Sequence, residues 1–92
     1  MFFSKQLVAD TIATRVKNGF RIGDVLHDLG RIQDEVKEAI EAYTSKDTAA
    51  FADELADILI FLLTTADAAN VNLEKAIIAK VKRNTTRVWK HT

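Results

Sequence analysis

Glu54-Leu55-Ala56-Asp57-Ile58-Leu59-Ile60-Phe61-Leu62-Leu63 is the stretch on which the reading of this chain turns. From Ile58 to Leu63 every residue is apolar, so no single helical face stands out as the buried one. A helix that is hydrophobic all round has to be enclosed on all sides. The three other helices of a 92-residue chain are too few for that, whereas a second copy supplies more. The expectation is an all-α protein, a four-helix chain that forms a helical bundle across a homodimer or tetramer interface. The same run is far shorter than the ~20 apolar residues that span a bilayer, so no membrane partner is expected.

Composition agrees with this reading. A monomer of this length buries only roughly 60–65% of the surface its unfolded chain exposes, yet 48% of the residues are hydrophobic. The surplus points to a homodimer or a dimer of dimers. There is no Pro and there are only 3 Gly, so the turn vocabulary of an all-β protein is missing. The absence of Cys excludes disulfides, thiolate zinc sites and cysteine nucleophiles, and 2 His leave no histidine-rich metal site. Residues 1–92 read as one domain, without repeats, low-complexity segments or linkers. The opening Met-Phe-Phe-Ser-Lys-Gln is not of signal-peptide type, which makes a cytoplasmic location the expectation.

Net charge +0 hides a partition. Ten acids lie between Asp24 and Asp57, opposed there only by Arg31, Lys37 and Lys46. After Leu73 the order reverses, with Lys75, Lys80, Lys82, Arg83, Arg87 and Lys90 facing only Glu74. An acidic middle suits a cation and a basic tail suits phosphates; both also suit plain solvated helix faces. Nucleic acid is not an expected partner, because the chain as a whole is not basic.

Periodicity and punctuation predict four helices. The first runs from about Ser4 to Asn18, followed by a loop bracketed by Asn18-Gly19 and Gly23. Asp24 caps a second helix reaching about Thr44, with the apolar stripe Leu29, Ile32, Val36, Ala39/Ile40 and Tyr43. Gly30 inside it costs roughly 1 kcal/mol relative to Ala, so either two helices approach closely there or the helix starts later. Asp47 or Thr48 caps the third, about Thr48 to Ala69. Asn72 caps a fourth, to about Lys90, carrying Leu73, Ile77, Val81 and Val88. Tyr43 and Trp89 read as packing residues and His27 as a surface residue.

Chemistry concentrates on helices two and three. Glu54 and Asp57 are three residues apart, hence on one face, directly before the apolar run. Glu35 and Glu38 repeat that spacing, with Glu35 close to the edge of its helix's apolar stripe. Four carboxylates converging toward one core repel each other and are costly to desolvate. Protonation, basic partners or bound cations must compensate. An all-oxygen set of hard ligands suits Mg2+ or Mn2+. On helix four, Lys80, Asn84 and Arg87 fall at spacings four and three and share a face.

Four motifs resemble those of the MazG-like, all-α nucleoside triphosphate pyrophosphohydrolases. They are Asp34-Glu35-x-x-Glu38, Glu54-Leu55-Ala56-Asp57 with its apolar run, Asn72-Leu73-Glu74-Lys75-Ala76, and Lys80-x-x-x-Asn84-x-x-Arg87. They match that family's EExxE, ExAD, (D/N)LxxA and KxxxNxxR elements in order and separation, over about two-thirds of the chain. Asp34 departs from the usual Glu, and Lys37 stands where many relatives have Gly.

The resemblance implies that Glu35, Glu38, Glu54 and Asp57 hold Mg2+, or Mn2+, and are the catalytic residues. A water would attack the α-phosphorus of a (deoxy)nucleoside triphosphate to give nucleoside monophosphate and pyrophosphate, in nucleotide-pool house-cleaning. It further implies that Lys80, Asn84 and Arg87 meet phosphate or sugar, and that Phe20 stacks on the base, although a core role suits Phe20 equally. Two alternatives compete. A phosphoribosyl-ATP pyrophosphohydrolase usually has a His where this chain has Phe61 and lacks the basic tail motif. A non-catalytic helical oligomerisation module accounts for the apolar surplus but not for Glu54 and Asp57 beside it.

Overall fold

The computed structural model describes residues 5–17 and 24–86. It contains α1 (Lys5–Lys17), α2 (Val25–Thr44), α3 (Thr48–Ala68) and α4 (Leu73–Thr86). No strand occurs among the described residues. The protein is all-α.

The starts and stops follow from local chemistry. Oδ1 of Asp24, Asp47 and Asn72 accepts from the backbone N–H of His27, Ala50 and Lys75, each at 3.0 Å, so all three expected caps close their helices. The ends of α2 and α3 are built alike. Lys46 N–H donates to the Tyr43 carbonyl and Asp47 N–H to that of Ala42, a Schellman arrangement with Lys46 at φ 61°. Asn70 (φ 57°) and Val71 repeat it on Asp67 and Ala66. A three-residue turn, Ser45–Lys46–Asp47, thus folds α3 back along α2, and the tilted rings of Tyr43 and Phe51, 5.4 Å apart, pack beside it.

This α2–α3 hairpin is the centre of the chain, with α1 laid against α3. The face that α2 buries takes in only part of its apolar stripe, namely Ala39. Asp28, Glu35, Ala39 and Ala42 are its buried residues, and at 100° per residue they span about 60° of the helix. Leu29, Val36, Ile40 and Tyr43 lie roughly 100° around from them and are exposed, Ile40 at 59% and Tyr43 at 69%. The sequence stripe is thus split: Ala39 is buried, Ile32 is half-buried, and the rest flanks the buried face, with Tyr43 still reaching Phe51 of α3.

The apolar run of α3 is likewise only partly covered. Phe61 is buried, Ile58, Leu59, Ile60 and Leu63 are half-buried, and Leu62 is exposed. No residue of α4 is buried, and Ile77, Ile78 and Val81 are open to solvent. Among the described residues the buried apolar side chains are Ala39, Ala42 and Phe61. Gly30 does not mark a close approach within the chain. A Cβ there would meet nothing within 4 Å, and α2 already starts at Val25.

Candidate metal centre

The hairpin fixes which side chains meet. Antiparallel packing of α3 on α2 brings together side chains one to four turns from the bend. One carboxylate oxygen from each of Glu35, Glu38 and Glu54 falls within 4.8 Å of the others. The Arg31 guanidinium carbon stands 5.7 Å from the centre of the Phe61 ring.

The environment of the three carboxylates is graded. Glu35 is 5% exposed, Glu54 is half-buried, and Glu38 lies at the open edge. The Glu35 carboxyl is pushed from 4.5 up to about 8. A hydrogen bond shared with Glu54 is the largest cause, followed by burial, a hydrogen bond with Glu38, and the charges of Glu38 and Glu54. At neutral pH the cluster therefore retains a proton. Oε2 of Glu54 is buried without a hydrogen-bond partner. An orphaned carboxylate oxygen within an all-oxygen set is the donor chemistry that a hard divalent cation satisfies.

Of the four acids expected to act together, the structure brings together Glu35, Glu38 and Glu54. Asp57 is one turn beyond Glu54 on the same face and half-buried, outside that cluster of three. Lys80 is exposed and Asn84 half-buried, its Oδ1 buried and unpaired. Among the described residues α4 does not pack extensively along α2 or α3, and no contact joins Lys80 or Asn84 to the carboxylates. Arg87 and Phe20 lie outside the described residues, as do Val88, Trp89 and Lys90.

Arg31 was missed by sequence reasoning. Its Nη2 donates to Glu35 Oε1 at 3.3 Å, a spacing of four along α2 that the sequence displays. Asp28, fully buried two turns before Glu35, was missed as well, and no periodicity signal marks it.

A family model described as phosphoribosyl-ATP pyrophosphohydrolase matches residues 8–85, which include every residue of this site. The chain belongs to that family. It thus falls within the MazG-like all-α pyrophosphohydrolases, as its motifs suggested. Two curated relatives, dCTP pyrophosphatase 1 of Rattus norvegicus and of Mus musculus, are each 32% identical over 72 residues. Those matches cover 76% of this chain but 42% of each relative, so the chain spans less than half of their length. No solved structure matches. The matching model describes the branch that Phe61 and the basic tail argued against, while the curated relatives carry a dCTP name. Nucleotide pyrophosphohydrolase chemistry is common to both. Among the described residues, no helix is long and apolar enough to cross a membrane.

Proposed function

We propose that this protein hydrolyses a nucleoside triphosphate to nucleoside monophosphate and pyrophosphate at the α2–α3 carboxylates. The observation that carries the reading is the convergence of Glu35, Glu38 and Glu54, with an unpaired buried oxygen, inside the segment that matches the family. Water adds to the α-phosphorus, and the bond to the bridging oxygen breaks, so that pyrophosphate leaves. Glu35, Glu38 and Glu54 would hold Mg2+ (or Mn2+), with Asp57 one turn away as the fourth acid. The ion, when bound, neutralises phosphate charge and lowers the pKa of a coordinated water. Glu35 gives up its retained proton when the site is loaded, which makes loading easier as pH rises toward 8. Lys80, Asn84 and Arg87 form the phosphate- and sugar-binding face in this reading, with Phe20 against the base.

The exposed line Leu29, Val36, Ile40 and Tyr43 supports a second copy as the partner, in a homodimer or dimer of dimers. A non-catalytic module with the same oligomeric form has no use for the carboxylates. Two substrates rank first, a pyrimidine deoxynucleoside triphosphate from the relatives' name and phosphoribosyl-ATP from the family description. Pyrophosphate release should be measured with both, with the canonical nucleoside triphosphates, and with and without Mg2+. Glu54→Gln should abolish Mg2+-dependent release, at least a hundredfold, while helicity and melting are retained. Full activity in that variant, or release that ignores Mg2+, overturns the assignment.

A further inference from the structure

We propose that Arg31 is a phosphate-binding residue of this site, its guanidinium resting on Glu35 and Phe61 at the rim of the carboxylates and presenting its unused donors to an incoming polyphosphate. This inference rests on the pyrophosphohydrolase reading and adds a residue to it.

The position is set by the fold. Arg31 lies one turn before Glu35 on the same face of α2, and the α2–α3 hairpin brings it over Phe61 of α3. The contact with Phe61, 5.7 Å from guanidinium carbon to ring centre, consumes none of its N–H groups as hydrogen-bond donors. The contact with Glu35 uses one donor on one oxygen at 3.3 Å, longer than the 2.7–2.9 Å of a tight charge-assisted pair. Of the five guanidinium N–H groups, that is the only one with an acceptor among the described residues. The side chain is 42% exposed where that of Glu35 is 7% exposed. A cation held loosely by its carboxylate, set over a ring, and partly open to solvent is arranged for bidentate capture of an anion.

Charge favours the same conclusion. Glu35, Glu38, Glu54 and Asp57 make this surface hostile to a polyanion, and one divalent ion offsets only part of that charge. The described cations of α4 are not brought to this surface, because that helix does not pack extensively along α2 or α3. Among the described residues, the ion pair at the cluster is the one from Arg31. Among the described residues, it is the positive group set beside the carboxylates.

A merely structural Arg31, which only orients Glu35, would show itself in metal affinity. The test therefore reads metal and anion separately in wild type, Arg31→Ala and Arg31→Lys. Mn2+ is titrated by electron paramagnetic resonance, and inorganic tripolyphosphate by calorimetry at saturating Mg2+. Kinetics with the best triphosphate follow, and melting controls for folding. Arg31→Ala should weaken tripolyphosphate binding and raise KM by about 10- to 100-fold, leaving Mn2+ affinity within about 3-fold. Arg31→Lys keeps the charge but loses the fork, and should fall between. If Arg31→Ala melts early, the comparison of Arg31→Lys with wild type decides alone. Unchanged tripolyphosphate affinity, or a loss confined to Mn2+ binding, overturns the proposal. A wild-type protein that binds neither Mn2+ nor tripolyphosphate instead overturns the pyrophosphohydrolase reading beneath it.

Discussion

The retained proton on Glu35 makes the metal-free protein less stable as pH rises, and the size of that effect can be worked out. Its carboxyl titrates near 8 in the fold against 4.5 as its ordinary value. A raised carboxyl pKa means that the folded state holds the proton more tightly than the unfolded one. The associated stability is fully present below pH 4.5 and is lost as pH climbs through 8. Each unit of difference corresponds to about 1.4 kcal/mol, so a loss of several kcal/mol is the ceiling, approached at pH 8.5. Sharing of the proton with Glu54 and relaxation of Glu38 at the open edge reduce it, and about 2–4 kcal/mol is expected. For a domain of this size that corresponds to roughly 10–20 °C in Tm. Melting by circular dichroism in EDTA, from pH 5 to 8.5 at one protein concentration, gives the profile. Glu35→Gln removes the titrating group and should flatten it. The difference between the two proteins isolates Glu35 from every other titration. Added Mg2+ should restore wild-type stability at pH 8 by mass action and leave Glu35→Gln much less affected. Identical slopes in the two proteins, or a wild type that gains stability across this window, would refute the assignment of the proton to this cluster.

Two further changes probe the surfaces that the single chain leaves open. Gly30→Ala should stabilise by about 0.5–1 kcal/mol in urea unfolding, because a methyl group there meets empty space; a loss of stability would mean that a second copy packs on Gly30. Ile40→Glu puts a charge in the middle of the exposed stripe of α2, and should shift sedimentation toward the monomer with little change in the protein's mean residue ellipticity.

The helices were legible in the sequence because their causes are local. Asp24, Asp47 and Asn72 are caps by side-chain chemistry, and each closes the helix that follows it. The carboxylates were legible for a related reason, since a spacing of three places Glu35 with Glu38, and Glu54 with Asp57, whatever the tertiary arrangement. What periodicity does not carry is the identity of the partner. Of the stripe Leu29, Ile32, Val36, Ala39/Ile40 and Tyr43 only Ala39 is buried, because the buried face of α2 is the neighbouring one that also holds Asp28, Glu35 and Ala42. A stripe states that something covers it, not which chain. The same limit hid Arg31. Its spacing from Glu35 was visible, but its place over Phe61 depends on the length of a turn 15 residues away.

That turn has a consequence for how such a chain tolerates change in length. Surface loops ordinarily absorb insertions at little cost. Here, Ser45–Lys46–Asp47 sets the phase between two helices that share one site. One extra residue would leave both helices intact, but α3 would start about 100° out of step and ~1.5 Å displaced relative to α2. Glu54 would then turn away from Glu35 and Glu38, and Phe61 away from Arg31. Two point features, the left-handed Lys46 and the capping Asp47, hold the turn at its length. The tightest constraint on the carboxylates therefore lies in three surface residues that touch none of them, where a single inserted codon would undo the site without unfolding a helix.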